Sequence, residues 1–404
     1  LGTLNSIANN APDFARALRE GVCGIKPLDL FDTEGFRCQN GGQIRNFAPC
    51  DYIPRDFSLK RMSRADQLSF AATLEALTDA GLYPLPDLLP EETGVVIGGG
   101  SGGLLEAERG YSESLKKNSK FHFSKLASVY CGSSADRIAS SLGLLGPKAT
   151  FMTACSAGAT AIGYARDLLL NGQAKMMLAG GVEPMCRITY AAFNALKSLD
   201  PDTCHPFDKE RQGLSLGEAA AIMVLEPLET ALDRGAKIYA EVLGYGVTCD
   251  SFHMTAPDEK ASGAVRSMQA ALKDSGLAIE DIDYINAHGT ATAVNDLTET
   301  KAIKEVFGKR AYSVPVSSTK SMTAHTLGAA GALEGIVSTL ALTHGFIPPT
   351  INYSNPDPEC DLDYVTTGAR TADLRIVLSN SFAFGGNNTT VIFGKYEEGG
   401  LCHE

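Results

Sequence analysis

Three residues of this sequence are placed to do covalent chemistry: one cysteine and two histidines. Cys155 stands where a β-rich run, ATFMTA, meets a run of small residues, SAGATAIG. A thiol at such a junction lies near a helix N-terminus, whose partial positive charge favours thiolate. The free N–H groups of that first turn can also hold an oxyanion. A buried, inert cysteine is the alternative, as most free cysteines are of that kind. His288 ends the run IDYINAHGTAT, and His325 lies in STKSMTAHTLGAAGALE just ahead of a glycine- and alanine-rich helix. Both fall at strand-to-helix connections, where open α/β sheets place their ligands. The chain has 7 histidines, so two at equivalent connections stand out from ordinary loop histidines. A cysteine with histidine partners suits nucleophilic catalysis by an activated thiol.

Lys320 precedes His325 among small polar neighbours. It reads either as a solvated lysine or as half of a partly buried ion pair with Glu334 or Asp296. The turn FAFGGNN at 382–388 can bring backbone N–H groups and Phe384 against a ligand.

The elements that must position these groups alternate between strand and helix. Residues 11–20 and DQLSFAATLEALTDA (66–80, stopped at Gly81) have helical spacing, and TGVVIGGG (93–100) reads as a strand. Next comes KATFMTACSAGATAIGYARDLLLNG, a strand, a sharp turn and a helix, then strands in MMLAGG (176–181) and AAIMVLEPL (220–228). After the charged helix ETALDRGAK a second series begins with the strand IYAEVLGYGV and the helix around SMQAALKDSG. The strand IDYINAHGT, the helix DLTETKAIKEVFG, the strand SVPVSSTKS, a helix over 326–344 and the closing strand RIVLSNSFAFGG complete it. This alternation predicts an α/β fold with helix-covered sheets. The pattern divides into two similar halves, 1–236 carrying Cys155 and 237–404 carrying both histidines.

Composition narrows the class. The 404 residues are 44% hydrophobic and 20% charged, the balance of a globular enzyme. A net charge of −12 argues against a nucleic-acid partner, which needs a basic surface. The 10 cysteines are scattered without CxxC or zinc-ligand spacing, which suits a reducing cytoplasm. No apolar run approaches the ~18 residues of a membrane span.

Seven ordered motifs carry a resemblance over essentially the whole chain. They are TACSAG around Cys155, PFDKERQGLSLGE (206–218), GAKIYAEVLGYG (235–246), HMTAP (253–257), NAHGTAT (286–292), SSTKSMTAHTLGAAGALE (317–334) and NSFAFGG (380–386). Together they resemble the elongating type II β-ketoacyl-[acyl carrier protein] synthases of the thiolase superfamily. The resemblance implies a thiolase-like fold, two α/β halves stacked as five layers, α-β-α-β-α. It implies decarboxylative Claisen condensation of malonyl-carrier with an acyl group held on Cys155, which lengthens the chain by two carbons. His288 and His325 then stabilise the enolate, Lys320 supports them, and Asp296, Glu299 and Glu334 form the surrounding network. Backbone N–H groups of Cys155 and of the Phe384–Gly385 turn form the oxyanion hole, and Phe384 gates the acyl pocket. Thr255, Thr290 and Thr292 match residues that hold the pantetheine arm. No cofactor or catalytic metal is implied, since phosphopantetheine arrives on the carrier; a structural monovalent cation fits near Glu334.

The partners implied are an acyl carrier protein, acyl and malonyl thioesters, and a second copy of the chain in a homodimer. An acidic carrier would be repelled by a net charge of −12, so docking needs a local basic patch. Lys60, Arg61, Arg64, Lys197 and Lys125 are the candidates. Ser101 aligns with a larger residue that limits pocket depth, which implies a deeper acyl pocket; a bonded turn serine is the alternative. Departures from the family pattern are Phe207, Gln212, Ala324 and Asn387–Asn388, and about ten further residues, a strand with its flank, are expected ahead of Leu1. These departures leave room for a specialised polyketide, polyene or unusual-lipid synthase. A non-catalytic chain-length-factor-like partner would lack the cysteine. A CoA-dependent thiolase would need a second cysteine at Asn380–Ser381–Phe382, which has none.

Overall fold

The strands Thr93–Gly98 and Met176–Glu183 are buried along their whole length, without the alternation of a half-exposed strand. Runs of this kind need cover on both faces. The computed structural model, which describes residues 1–84, 90–117 and 123–397, supplies it with two five-stranded sheets.

The first sheet contains Gly2–Leu4, Thr93–Gly98, Lys148–Phe151, Met176–Glu183 and Ala219–Leu225; the second contains Glu241–Cys249, Tyr284–Asn286, Val316–Ser317, Ile376–Ala383 and Asn387–Gly394. Numbered in chain order within each sheet, the strands run 3-2-4-5-1 in both. Pairing repeats as well. Strand 2 is parallel to strands 3 and 4, and strand 5 is antiparallel to strands 4 and 1. The two halves therefore share one topology, as the sequence pattern led one to expect.

Three helical layers enclose the sheets. Arg64–Asp79 and Ser133–Leu142 cover the outside of the first sheet, and Ser262–Ser275 covers the second. Between the sheets lie Ala157–Leu170 and Ala330–His344, each the helix that follows strand 3 of its half. Every residue from Ala330 to Leu342 is buried, so this helix shows no polar face to solvent. The arrangement is the five-layered stack expected of the thiolase-like fold. Among the described residues, no helix is long and apolar enough to cross a membrane.

The two central helices cross at small residues. A Cβ on Gly158 would stand 2.7 Å from the Ala332 nitrogen, and one on Gly331 would stand 2.7 Å from the Ala159 nitrogen. The helices can meet only because neither position carries a side chain.

Some elements differ from their sequence reading. IDYINAHGT keeps only Tyr284–Asn286 as strand, and SVPVSSTKS keeps only Val316–Ser317. The Ser318 N–H turns to the Thr350 hydroxyl instead of the sheet, and Lys320–Thr323 forms a short helical turn. Helix 229–237 ends early, as Leu228–Asp233, and the expected 326–344 helix begins with a 3-10 turn at Leu327–Ala329. The last strand, Asn387–Gly394, was not among the expected elements.

The crossing gives a direct test. Gly158→Ala should destabilise the protein by about 1–3 kcal/mol through overpacking and slow the chemistry at Cys155, measured by denaturant melts and thiol alkylation. Unchanged stability would show that the helices part without strain.

Candidate active site

Cys155 lies in a 3-10 turn, Ala154–Ser156, between strand 3 of the first sheet and the central helix Ala157–Leu170. Ala154 takes φ 50°, a left-handed conformation that bends the chain sharply before the sulfur. The side chain is 7% exposed. Burial pushes the thiol up to about 11, against the opposing pull of the Lys320 charge and the Phe384 N–H. Desolvation of the charged form thus opposes the thiolate that a helix N-terminus favours.

Both histidines converge on it. His325 follows strand 3 of the second sheet, the connection equivalent to that of Cys155, and its Nε2 lies 3.1 Å from the Cys155 sulfur. The Leu327 N–H donates to His325 Nδ1 at 3.3 Å, so the ring proton belongs on Nε2. His288 follows strand 2, and its Nδ1 lies 3.3 Å from Lys320 Nζ. A lysine ammonium only donates, which again assigns the proton to Nε2. The rings are 5.3 Å apart and nearly perpendicular. Burial, then the Lys320 charge, hold both imidazoles well below their usual range, so they stay neutral. The His325 Nε2–H is therefore a donor on the sulfur, and His288 sets a second neutral imidazole beside it.

Lys320 is buried and pairs with Glu334, which settles the two sequence alternatives in favour of that partner. Burial pushes the Glu334 carboxyl up, and the adjacent ammonium pulls it down. Glu299, fully buried, accepts the His288 N–H at 2.8 Å and the Gly289 N–H at 2.7 Å, which fixes the histidine loop. Asp296 acts one step further out. It accepts the Phe207 N–H at 2.7 Å and the Ala291 N–H at 3.1 Å and does not pair with Lys320.

A cleft of about 330 Å³ leads to the sulfur, lined among others by Cys155, His288, His325, Thr255, Thr290, Thr292, Phe384 and Lys197. The Thr290 and Thr292 hydroxyls lie 3.0 Å apart. Phe384 stacks on Phe193 with ring centroids 5.9 Å apart, placing two parallel aromatics at the cleft. Gly385 is not an oxyanion donor. Its N–H goes to the Met254 carbonyl at 2.8 Å, and its φ of 81° shapes the turn that presents Phe384. Ser101 lies outside the lining of this cleft; its N–H and hydroxyl both bond Glu183, so it is the bonded turn serine.

The basic patch also needs revision. Arg64 is part-buried and grips Glu218 through Nε at 2.8 Å and Nη2 at 2.6 Å, so it holds the interior together and is not free to dock a partner. Lys60 and Arg61 are exposed but do not line the cleft, whereas exposed Lys197 does. The Lys125 side chain lies outside the described residues.

Residues missed in sequence include Phe193, Arg211 and Glu183. Arg211 sits within the quoted motif PFDKERQGLSLGE and holds the Thr292 and Ala293 carbonyls, both at 3.3 Å. Glu183 carried a signal, as a lone acid ending the apolar run MMLAGGVE.

Two ion sites can be weighed. One ligand atom from each of Cys155, His288 and His325 lies within 4.8 Å of the others, close enough for one soft metal. Both Nδ1 atoms already face donors and His325 Nε2 turns its proton to the sulfur, so the imidazoles are poorly set to ligate there. The monovalent cation fits better. Asn286 Oδ1, Glu334 Oε2 and Ser381 Oγ are buried oxygens without a hydrogen-bond partner, and Asn286 Nδ2 reaches the Glu334 carbonyl at 3.1 Å. Oxygen donors of this type suit a hard cation.

A doubled α/β fold that delivers one thiol to two imidazole N–H donors is the framework of a thiol-dependent acyl-transferring enzyme. A family model described as "Beta-ketoacyl synthase, N-terminal domain" matches residues 1–231, and "Beta-ketoacyl synthase, C-terminal domain" matches 239–354. The chain is 43% identical over 405 residues to 3-oxoacyl-[acyl-carrier-protein] synthase 2 of Synechocystis sp., covering 98% of this chain and 97% of that protein. The ishigamide ketosynthase/chain length factor structure superposes with TM-score 0.92 at 40% identity, covering 98% of both chains. A type II PKS acyl-carrier protein in complex with its ketosynthase superposes with TM-score 0.86 at 30% identity, again over 98% of both chains. The chain belongs to the beta-ketoacyl synthase family.

The buried thiol predicts a pH profile. Alkylation of Cys155 by iodoacetamide, followed by peptide mass spectrometry, should still be rising above pH 9, since a raised pKa confines the thiolate to alkaline pH. A plateau below pH 8 would show that the donors overcome burial.

Proposed function

We propose that this enzyme is an elongating 3-oxoacyl-[acyl carrier protein] synthase. The observation that supports the reading is the grouping of the Cys155 sulfur with two neutral imidazoles, one atom of each within 4.8 Å of the others and His325 Nε2 at 3.1 Å from the sulfur. In the first half-reaction the Cys155 sulfur attacks a carrier-bound acyl thioester. A carbon–sulfur bond forms to Cys155, the bond to the pantetheine sulfur breaks, and the thiol proton leaves with the carrier. In the second, a malonyl thioester loses CO2 and the freed electron pair passes into an enolate. Hydrogen bonds from His288 and His325 to the enolate oxygen need donors rather than a strong base. The enolate carbon then bonds to the acyl carbonyl, and the Cys155 sulfur leaves and takes a proton from solvent.

The remaining roles follow from position. The Cys155 and Phe384 amides receive the tetrahedral oxyanion, while Thr255, Thr290 and Thr292 hold the pantetheine arm along the cleft. Asn286, Glu334 and Ser381 would offer oxygen ligands to a monovalent cation, whose charge would face the Glu334 carboxylate. Lys197 at the cleft contacts the acidic carrier, and a cytoplasmic location follows from that partner. A second copy completes a homodimer, and the division near residue 236 separates the thiol-bearing half from the histidine-bearing half.

One observation favours a second reading, a condensing enzyme of a specialised pathway working with a related subunit. The ishigamide ketosynthase/chain length factor is nearly as similar in sequence, at 40% identity, as the Synechocystis synthase at 43%. The chain preference seen in acylation decides between the two.

Three variants test the chemistry. Cys155→Ala should lose acylation and condensation yet still release CO2 from malonyl-carrier. His288→Ala should keep acylation and lose decarboxylation by about 10²–10³-fold, the usual effect of deleting one oxyanion donor. Loss of both half-reactions in either variant would refute this division of labour. Lys197→Glu should raise KM for carrier-bound substrate by roughly three- to tenfold; unchanged kinetics would remove it from the docking surface.

A further inference from the structure

Glu183 is a buried acid that the reaction above does not use. It closes strand 4 of the first sheet and is 1% exposed. Its partners are neutral donors: the Ser101 N–H at 2.7 Å, the Gly328 N–H at 3.1 Å, the Gly100 N–H and the Ser101 hydroxyl. Burial pushes the Glu183 carboxyl up, against the opposing pull of these donors, and the donors around it leave its oxygens to act as acceptors.

What Glu183 joins is informative. Gly100 and Ser101 lie in the glycine loop that follows strand 2 of the first half, and Gly328 lies in the turn that follows His325 in the second. The Gly328 turn presses on both. A Cβ at Gly328 would stand 2.7 Å from Glu183 Oε2 and 2.7 Å from Gly99 Cα. The residue before it, Leu327, donates the N–H that fixes the ring proton of His325 on Nε2. Glu183 therefore anchors the peptide next to the one that orients the catalytic imidazole.

We propose that Glu183 is a positioning residue for condensation: its carboxylate clamps the Leu327–Gly328 turn of one half to the Gly100–Ser101 loop of the other, so that His325 keeps its N–H on the reacting group. This rests on the reading of Cys155 as the acyl acceptor. The role is distinct from that of Glu334, which acts through Lys320, and from that of Glu299, which holds the backbone of His288. Glutamine at 183 would match the size but turn an N–H toward a donor, Gly328 or Ser101, and loosen one side of the clamp.

The test uses the purified full chain as wild type, Glu183→Gln and Ser101→Ala, each checked by thermal melt. Acylation of Cys155 by a carrier-bound acyl thioester is read by mass, and condensation is split into kcat and KM for malonyl-carrier. Glu183→Gln should still be acylated but lose kcat by roughly ten- to hundredfold, the scale of a small misplacement, with KM little changed. Cys155 faces His288, His325, Lys320, Glu334 and Glu183, and the Glu183 charge raises its thiol. Its alkylation profile should therefore shift to lower pH in Glu183→Gln, a change that mere structural damage would not produce. Ser101→Ala, which removes one of the donors, should lower kcat in the same way by a smaller factor. Wild-type kcat and an unmoved profile in Glu183→Gln overturn the proposal. If that variant does not fold, wild-type kcat in Ser101→Ala overturns it. A wild-type enzyme that never takes the acyl group would instead overturn the underlying reading of Cys155.

Discussion

The close crossing of two helices organises this molecule. Ala157–Leu170 and Ala330–His344 touch at Gly158, Ala159, Gly331 and Ala332, residues small enough for the backbones themselves to meet. Each helix is preceded by one 3-10 turn, and those turns carry or adjoin Cys155 and His325. Bringing the two N-terminal ends together is what leaves 3.1 Å between sulfur and imidazole, across 170 residues of chain. A bulkier crossing would separate the reacting groups even with every catalytic residue intact. The all-round burial of Ala330–Leu342 is the cost of that geometry, since a helix between two sheets has no face left for water.

Burial then sets the electrostatics. The thiol, both imidazoles, Lys320, Glu334 and Glu299 are all out of solvent, where charge is expensive unless partnered. The fold answers with local pairs: Lys320 with Glu334, and Glu299 with two backbone N–H groups. The single ammonium does double work, because it occupies His288 Nδ1 and its charge adds to burial in keeping both rings neutral. Protonated rings would add positive charge to a site that must first accept a neutral thioester. Neutral N–H donors instead match a charge that develops only as CO2 leaves.

Much of this was readable in the chain, and the failures have physical causes. Cys155, His288 and His325 could be found because the sequence marks strand-to-helix junctions with apolar runs followed by small residues. The state of the thiol could not, since the helix N-terminus is a local feature whereas desolvation is a property of the whole surround. Arg64 looked like a surface cation in SLKRMSRAD, but its partner Glu218 is 154 residues away and no local pattern announces the pair. Gly385 reads as a turn glycine, and it is one, yet its N–H goes to the Met254 carbonyl, a contact from another loop. Asn387–Gly394 escaped because a two-glycine turn looked like the end of the fold, though the β-branched run of Thr389, Thr390, Val391 and Ile392 signalled another strand.

The shared strand order explains why one chain can hold a nucleophile and its helpers on opposite sides of a cleft. Connections that follow strand 3 yield Cys155 in one half and His325 in the other; those that follow strand 2 yield the Gly99–Ser101 loop and His288. After strand 4 the first half ends in Glu183 and the second in Ala383, next to the Phe384 turn. Equivalent positions have thus taken complementary work: a sulfur opposite an imidazole, a glycine loop opposite a histidine loop, a buried acid opposite an aromatic turn. A symmetric pair of thiols could exchange an acyl group but would offer no neutral donors to an enolate. The condensation needs the two halves to be alike in backbone, so that their connections meet, and unlike in side chain, so that what meets can react.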